Sequence, residues 1–466
     1  MAIENGTTHL LVDGDTGLVS RKIFVDEAIY ALEQERVFRR SWLFIGHDSM
    51  IQAPGDFLST YMGEEPVILW RGDDGQPRVM LNSCPHRGNK LCVYDRGRAR
   101  SLTCSYHGWT FNDAGALIGV PFDQLSYEGR LNRSENALPQ AKVATYGGLI
   151  YAAWEPEESL EEHLGEFRWW LDAFVCHDDF GGLAYLPSAQ KYRMPGNWKL
   201  TSDNFVGDFY HVPISHASAF GVQPGRDSKL MSRFGEAEEE KQGGMNAFVQ
   251  RGMEAFSFSL PPGHGIGQVT FNESRLRRDL EIAKSLDAEA VDYVRERHAK
   301  IGARVKTAAT PEGFVAGTCF PNMTFQGNGA FEGELVAIVH PRGPRRHEIW
   351  QYVLLERDAP ASVRRFAARY TSQRQSAAGL IGLDDGENFE RIEESTRGPM
   401  ASSLTFNYAL GKERDDQHLD NGGKSRDSWP VGGTAGEPSR TYFSEVNQRE
   451  FYRRWSDKMG LQGATV

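Results

Sequence analysis

Two short stretches of this chain, Cys84-Pro-His-Arg-Gly88 and Cys104-Ser-Tyr-His-Gly-Trp109, are built on the same plan. Each begins with a cysteine, places a histidine two or three residues later and has a glycine four residues after the cysteine. Both stretches lie between residues 42 and 154, where short apolar runs alternate with turns rich in Gly, Pro and Asp. That texture is typical of antiparallel strands joined by tight turns. The region is therefore predicted to form a small β domain that carries metal ligands on two of its loops.

The side chains of Cys84, His86, Cys104 and His107 have the chemistry of metal ligands. Two thiolates on one iron and two imidazoles on the other form the ligand set of a Rieske [2Fe–2S] cluster. The same four residues could instead bind one zinc ion tetrahedrally. Zinc sites usually pair cysteines as C-x2-4-C, whereas this chain pairs each cysteine with a histidine. The sequence therefore predicts a Rieske cluster, with zinc as the alternative.

A third stretch, residues 204–216, has the sequence Asn-Phe-Val-Gly-Asp-Phe-Tyr-His-Val-Pro-Ile-Ser-His. Its spacing predicts a helix that places Asn204, Asp208 and His211 on one face. Pro213 would kink or end that helix and bring His216 back toward the same face. Two histidines at short spacing with carboxylates nearby suit a divalent first-row metal such as iron or zinc. The alternative is a helix with two hydrogen-bonded histidines and a partly buried aspartate.

The composition is that of an ordinary globular chain and argues against several classes of protein. The 466 residues are enough for two or three domains, and 52 basic against 63 acidic side chains give a net charge of −11. This acidic balance argues against a nucleic-acid partner. No apolar run is long enough to cross a membrane, and the first residues lack the features of a signal peptide. Five cysteines in a chain of this length are not a disulfide framework, so we expect a cytoplasmic protein.

Together these motifs resemble those of the large (α) subunit of bacterial Rieske non-haem iron aromatic-ring-hydroxylating dioxygenases. Two further segments, His340-Pro-Arg-Gly-Pro344 and Asp384-Asp-Gly-Glu-Asn388, are also similar to family segments. The resemblance implies an α+β fold: a small all-β Rieske domain and a larger α+β catalytic domain, whose antiparallel sheet is covered by helices. The expected divisions are an N-terminal helical segment that packs on the catalytic domain (1–40), the Rieske domain (41–157) and the catalytic domain (158–466).

The resemblance also assigns roles around a mononuclear iron. His211 and His216 would supply two ligands and a distant aspartate the third, which completes the facial triad of non-haem iron oxygenases. The matching family segment places that third ligand at Asp385, with Asp384 as the alternative. Asp208 is implied to link a histidine of this site to a Rieske histidine of the neighbouring subunit.

The reaction and the partners are implied in the same way. The chain would be the terminal oxygenase of a multicomponent system that adds both atoms of O2 to an aromatic ring as a cis-dihydrodiol. No G-x-G-x-x-G follows a strand, so electrons from NADH are expected through a separate reductase and ferredoxin. A trimer of α subunits is implied, with a small (β) subunit in an α3β3 assembly. The alternatives are a Rieske monooxygenase that hydroxylates or demethylates, a stand-alone Rieske electron carrier and a zinc hydrolase.

Basic residues surround the cluster loops in sequence despite the acidic total. They form a hypothetical docking patch for an acidic ferredoxin, with a solvated loop face as the alternative. These residues are Arg87, Lys90, Arg96, Arg98 and Arg100.

Candidate pocket walls lie near the histidines and before the aspartate pair. They are Phe205, Phe209, Val212, Phe220 and Gln375, and the aromatic ones would equally suit a core. Asn204 resembles the family residue close to the iron, with helix capping as its alternative role. The segment Gln373-Arg-Gln375 is more polar than expected for relatives that oxidise plain hydrocarbons, and Ala316 stands where some relatives would carry a polar residue. The sequence therefore leaves two substrate classes as alternatives, a polycyclic or biaryl hydrocarbon and an aromatic carboxylate.

Overall fold

The computed structural model describes residues 11–174, 177–216, 254–270, 275–304, 314–327, 329–331, 333–414, 437–439 and 444–461. Within those ranges, no helix is long and apolar enough to cross a membrane. The chain divides into two compact units. The smaller unit is Ala31–His163, and the larger one joins the chain up to Tyr30 to the chain from Leu164 onward. The segment predicted at 1–40 is therefore divided between the two units.

The strands within the described residues are numbered in chain order. They are β1 (Val12–Asp13), β2 (Leu18–Ser20), β3 (Leu43–His47), β4 (Asp56–Met62), β5 (Glu65–Arg71), β6 (Pro77–Leu81), β7 (Arg96–Arg98), β8 (Ser101–Thr103), β9 (Thr110–Asn112), β10 (Leu117–Gly119), β11 (Gln140–Tyr146), β12 (Leu149–Ala153), β13 (Leu183–Pro195), β14 (Glu254–Leu260), β15 (His264–Thr270), β16 (Phe314–Cys319), β17 (Met323–Gly327), β18 (Glu334–Pro341), β19 (Arg346–Glu356), β20 (Thr405–Asn407) and β21 (Glu437–Ser439).

The α-helices are numbered in the same way. They are α1 (Glu27–Glu33), α2 (Asp123–Ser126), α3 (Leu160–Leu164), α4 (Phe167–Phe174), α5 (Trp198–Phe205), α6 (Val212–Ser215), α7 (Arg275–Leu286), α8 (Ala288–Arg304), α9 (Ala361–Gln375), α10 (Gly382–Thr396), α11 (Pro399–Ser402) and α12 (Val446–Met459). Short 3-10 helices lie at Arg21–Phe24, Asp48–Met50, Asp178–Phe180 and Lys412–Arg414, and a π-helix follows α1 at Gln34–Phe38.

The smaller unit is built mainly from antiparallel strands. Seven of them pair in the order β3-β12-β11-β6-β5-β4-β7, and β10-β9-β8 form a second sheet. Glycine turns close the hairpins, as at Gly75 between β5 and β6, whose φ of +79° is easily adopted only without a side chain. Large apolar side chains, among them Trp70, Met80 and Phe111, form a fully buried core. The predicted small all-β domain is therefore confirmed.

The larger unit contains an eight-stranded antiparallel sheet in the order β13-β19-β18-β17-β16-β15-β14-β21. Every residue of the central strand β18 is buried, as expected where both faces of a sheet are covered. On one face, Leu335 joins a core with buried side chains of α7, α8 and α9. On the other face, Phe325 meets Phe167 of α4 with ring centroids 5.8 Å apart. This arrangement confirms the predicted antiparallel sheet covered by helices.

Helix α5 leads into the stretch that carries the two histidines. Asn197 caps its N-terminus, because the Asn197 side chain accepts a hydrogen bond from the N–H of Lys199 at 3.1 Å. It ends at Phe205, because Gly207 turns the chain with a φ of +121°. A Cβ at Gly207 would lie 2.7 Å from the backbone nitrogen of Gly267, so only glycine fits there.

The helix predicted to carry Asn204, Asp208 and His211 on one face is therefore wrong. Asp208 and His211 lie in the connection between α5 and α6, and His216 follows the end of α6. Pro213 stands in the first turn of α6, where a proline is tolerated because no intrahelical bond is lost. The proline thus helps to start a new short helix and does not kink an existing one.

Candidate metal centres

Two loops of the smaller unit hold the predicted cluster ligands, and their backbones repeat one hydrogen-bonding pattern. The N–H groups of Cys84 and Cys104 each donate to the carbonyl five residues later, at 2.9 and 2.8 Å respectively. The glycine four residues after each cysteine donates back to the cysteine carbonyl, at 2.8 and 2.9 Å. Gly88 and Gly108 both have a φ of +72°, which closes each loop in the left-handed conformation. The two loops therefore present their ligands as a pseudo-symmetric pair.

The four side chains fit a two-iron cluster better than a single ion. Cys84 and Cys104 are buried, and the rings of His86 and His107 have centroids 4.4 Å apart. Nδ1 of His86 is buried and makes no hydrogen bond to any described residue, as expected of a nitrogen that binds metal. A tetrahedral zinc needs its ligand atoms within about 4 Å of one another. Among the described residues, the groups of three or more ligands that meet within 4.8 Å include none of these four.

Polar contacts distinguish the two thiols. Burial raises the pKa of Cys84. Burial also acts to raise the pKa of Cys104, but the backbone N–H of Tyr106 and the side chain of Asn89 outweigh it, so that pKa is lowered. Nδ2 of Asn89 lies 3.6 Å from the Cys104 sulfur. Donors at this distance stabilise the thiolate, which is the form that binds iron.

Three side chains of the larger unit, His211, His216 and Asp385, converge on one point. Nε2 of His211 lies 3.5 Å from Oδ1 of Asp385, and Nε2 of His216 lies 3.4 Å from the same oxygen. All three ligand atoms are within 4.8 Å of one another, and the two imidazole centroids are 5.1 Å apart. These separations accommodate one first-row metal about 2.1 Å from each atom. Two imidazoles and one carboxylate are the donor set of the facial triad, so the residues fit a single iron ion.

The second nitrogen of each imidazole faces another carboxylate. Nδ1 of His216 forms a hydrogen bond with Oδ2 of Asp384 at 3.1 Å. Nδ1 of His211 lies 3.2 Å from Oδ2 of Asp208 without the alignment of a hydrogen bond. Oδ1 of Asp208 accepts two backbone N–H groups, at 2.9 and 3.3 Å, which fix that carboxylate. These partners determine that the Nε2 atoms face the metal position.

The carboxylates also set the protonation of His211. Burial acts to lower the pKa of this imidazole, but Asp208 and Asp385 outweigh burial and raise it above its ordinary value. The pKa of Asp208 is lowered, because its contact with His211 outweighs the opposing effect of burial. The pair is therefore held together by charge when no metal competes for the imidazole.

Two residues that were not predicted as site residues, Tyr192 and Asn388, lie near Asp385. Tyr192 on β13 has its pKa raised by burial and by the nearby charge of Asp385. Nδ2 of Asn388, one helical turn after Asp385, donates to Oγ of Ser215 at 3.2 Å and so joins α10 to α6. No local signal marked Tyr192, because β13 pairs with a strand more than 150 residues away.

The predicted residues close to the iron lie in and around α5 and α6. Nδ2 of Asn204 is 3.4 Å from Nε2 of His211, so this amide lies beside the metal position. Phe205 at the end of α5 and Val212 in α6 are both half-buried. Phe220 lies outside the described residues.

The other two predicted pocket residues contact the sheet. Phe209 covers Gly267 on β15 and meets Phe314 edge-on, with ring centroids 5.9 Å apart. Gln375, the last residue of α9, donates through Nε2 to Oε1 of Gln326 on β17 at 3.2 Å.

Two family models match the chain. The Rieske [2Fe-2S] domain matches residues 41–128, and the ring hydroxylating alpha subunit (catalytic domain) matches residues 185–461. The second match alone covers more than half of the sequence. The chain belongs to the ring-hydroxylating dioxygenase α-subunit family.

Other α subunits of this family are similar over most of their length. The α subunit of biphenyl dioxygenase from Paraburkholderia xenovorans is 34% identical, over 87% of this chain and 85% of the relative. The α subunit of benzene 1,2-dioxygenase from Pseudomonas putida is also 34% identical, over 96% of this chain and 92% of the relative. The solved structure of naphthalene 1,2-dioxygenase with indole bound in the active site has a TM-score of 0.78 and 27% identity, over 96% of this chain and 93% of that chain.

This α subunit is therefore the terminal oxygenase component of a multicomponent aromatic-ring dioxygenase. It carries a Rieske [2Fe–2S] cluster and a mononuclear non-haem iron, so the predicted enzyme class and cofactors are confirmed. An aromatic substrate, O2 and partner subunits follow from the same membership. A stand-alone electron carrier and a zinc hydrolase do not agree with it.

Proposed function

We propose that this α subunit cis-dihydroxylates an aromatic ring at an iron bound by His211, His216 and Asp385. The observation that carries the proposal is the convergence of both Nε2 atoms on Oδ1 of Asp385, at 3.5 and 3.4 Å. The proposed cluster ligands are Cys84, His86, Cys104 and His107. Relatives named for benzene, chlorobenzene and biphenyl support a substrate of one or two rings.

The side chains around the iron position have separate roles in this proposal. When bound, the cluster supplies electrons and the iron activates O2. Asp384 orients the ring of His216 through its 3.1 Å hydrogen bond. Asp208 faces Nδ1 of His211, and an electron-transfer path from the cluster to the iron would pass through this pair. Phe209 screens one side of the pocket from water, because its ring lies directly on the sheet at Gly267.

Electrons would come from NADH through a reductase and a ferredoxin. The basic residues predicted as a docking patch are all exposed. Arg98 is paired with Asp56 at 2.6 Å, so this charge is partly neutralised within the chain. The patch for an acidic ferredoxin would therefore rest mainly on the other four residues, Arg87, Lys90, Arg96 and Arg100.

We propose an α3β3 assembly in which Asp208 of one subunit receives electrons from the cluster of its neighbour. Apolar side chains on and beside the cluster loops are unusually exposed: Val93 by 69%, Tyr94 by 71% and Tyr106 by 59%. Exposed apolar residues of this size support a protein–protein contact. Asp208 itself remains 29% exposed, which leaves its carboxylate reachable from outside its own subunit.

Product analysis under 18O2 tests the proposed reaction. The assembled enzyme would be supplied with electrons and offered naphthalene, biphenyl, benzoate and phthalate in turn. We expect a cis-dihydrodiol that contains two labelled oxygen atoms, from a neutral ring compound. A product with a single labelled oxygen from every substrate would support the monooxygenase instead.

A further inference from the structure

Two glutamine side chains stand together on the catalytic sheet. Nε2 of Gln375 donates to Oε1 of Gln326 at 3.2 Å, and both side chains are half-buried. Within the described part of the chain, this is the only hydrogen bond that either side chain makes. One such bond uses one donor and one acceptor. Among the described residues, one amide NH2 and one amide carbonyl of the pair therefore have no partner, whichever way the two amides are turned.

Gln326 lies on the face of the sheet that the iron-binding segment covers. The strand registers place Gly267, Ala316 and Gln326 side by side across β15, β16 and β17. Residues opposite one another on adjacent strands share a face of the sheet. The ring of Phe209, two residues before His211, covers Gly267 at one end of this row. Ala316, between Gly267 and Gln326 in this row, contributes only a methyl group, and the outer two strands of the row lie roughly 10 Å apart.

Gln375 is tied to the segment that carries Asp385. A Cβ on Gly382 would lie 3.4 Å from the carbonyl oxygen of Gln375, and Gly382 opens α10 three residues before Asp385. The helix that carries Asp385 therefore begins directly beside the backbone of Gln375. Two residues before Gln326 on the same face, the hydroxyl of Thr324 is buried and has no hydrogen-bond partner in the part of the chain that the structure describes.

We infer that the Gln326–Gln375 pair recognises a neutral polar substituent, such as a hydroxyl or carboxamide, on the aromatic substrate. The inference rests on the proposed function and narrows its substrate class. A hydroxyl both donates and accepts, so it can satisfy the free carbonyl and the free NH2 together. A plain hydrocarbon leaves both groups unpaired once it displaces water from them, which is unfavourable.

A carboxylate suits the pair less well. It offers acceptors only, so the free amide carbonyl would stay unpaired. The cation adjacent in sequence, Arg374, directs Nη1 to the hydroxyl of Tyr370 at 2.5 Å, one helical turn back. The carboxylates of Asp384 and Asp385 stand on the next helix and would repel an anionic ring.

Calorimetric titration of the assembled, iron-loaded oxygenase without O2 tests the inference. The probes are naphthalene, 2-naphthol and 2-naphthoate. Wild-type enzyme should bind 2-naphthol about tenfold more tightly than naphthalene, the effect of one to two hydrogen bonds. The double variant Gln326→Leu/Gln375→Leu keeps the side-chain volume and should lose this preference. Gln373→Leu is the matched control, because residues i and i+2 of a helix do not share a face.

Wild-type enzyme that binds naphthalene at least as tightly as 2-naphthol would overturn the inference, even if the double variant failed to fold. Tighter binding of 2-naphthoate than of 2-naphthol would contradict the inferred preference for a neutral substituent. Iron content and the dihydrodiols formed from the panel of ring compounds are measured on the same preparation. Normal iron and a dihydrodiol without a preference for 2-naphthol reject the inference alone, whereas missing iron, or no dihydrodiol from any of the compounds, rejects the proposed function.

Discussion

Asp384 and Asp385 are neighbours in sequence, yet their carboxylates face different atoms of the same site. Asp385 presents Oδ1 to the Nε2 atoms of both histidines, whereas Asp384 accepts from Nδ1 of His216. Successive residues of a helix point about 100° apart, so the first turn of α10 can serve both positions. The distances favour Asp385 as the third ligand and give Asp384 an orienting role.

Substitutions at the two aspartates should therefore affect iron binding in different ways. Asp385→Ala removes a ligand atom and should leave the mononuclear site without iron while the cluster chromophore stays. Asp384→Asn keeps an acceptor for His216 but loses its charge, and should weaken iron binding by about 10- to 100-fold. Iron analysis after anaerobic dialysis against a graded chelator measures both effects. Full iron occupancy in Asp385→Ala, or an empty site in Asp384→Asn at the lowest chelator concentration, would contradict the assignment.

The residues of the candidate site differ in how far the sequence could predict them. The cluster motifs and the two histidines are short-range patterns, and the structure brings the side chains of each group together. Tyr192 and Gln326 are single residues on strands, and their roles depend on which face of the sheet they occupy. That face is set by pairings with distant strands, which no local pattern encodes. Long-range register is therefore the information that the sequence analysis lacked.

At the scale of elements, the break between α5 and α6 has a cause outside the segment itself. Helical spacing of the polar residues predicts one helix, but the local pattern does not contain Gly267, sixty residues later. The backbone of Gly267 approaches Gly207 so closely that the chain must turn there. This turn moves His211 out of α5 and lets it meet His216 and Asp385. The tertiary contact overrides the local propensity.

Gly207→Ala tests this turn. The added Cβ would lie 2.7 Å from the nitrogen of Gly267 at a φ of +121°, so strain and a steric clash should cost about 2 kcal/mol or more. We expect a lower melting temperature and loss of the mononuclear iron. Gly398→Ala is the control, because a Cβ there meets nothing within 4 Å. A Gly207→Ala enzyme with normal melting temperature and normal iron content would show that the turn is not required.

A buried carboxyl group on α5 gives the catalytic unit a pH dependence. Oδ2 of Asp203 accepts hydrogen bonds from the hydroxyls of Tyr408 and Tyr452, and the distance to Tyr408 is 2.8 Å. Burial raises the pKa of Asp203 to about 7. Because the folded pKa is above the unfolded one, the stabilisation is complete below about pH 4 and is lost as the pH rises to about 7.

The Asp203→Asn substitution should remove this loss of stability at rising pH. The asparagine oxygen can still accept from the tyrosines and carries no charge, so the melting temperature should vary less between pH 5 and 8. In the wild-type enzyme, the Asp203 contribution to the unfolding free energy should fall by up to about 1.4 kcal/mol per pH unit over that interval. Calorimetric scans at several pH values compare the two proteins. Parallel curves would mean that Asp203 does not titrate in this range.

At the scale of the whole molecule, the proposed trimer implies that a working active site needs metal centres from two subunits. If Asp208 receives electrons from the neighbour's cluster, then a working site needs iron in one subunit and a cluster in the next. Two chains with complementary defects should therefore restore each other. In a route confined to one chain, each defective chain would stay inactive in any mixture.

Co-assembly of Cys104→Ser chains, which lack the cluster, with Asp385→Ala chains, which lack the iron, separates these routes. In a randomly mixed trimer, an iron site is intact with probability one half, and its neighbour's cluster is intact with probability one half. The whole random population, homotrimers included, should therefore recover about one quarter of wild-type turnover per subunit, and isolated mixed trimers about one third, while assemblies of either variant alone stay inactive. Turnover is compared with iron and cluster content, and differently tagged chains allow mixed trimers to be isolated. Isolated mixed trimers that contain both metal sites and remain inactive would rule out electron transfer between subunits.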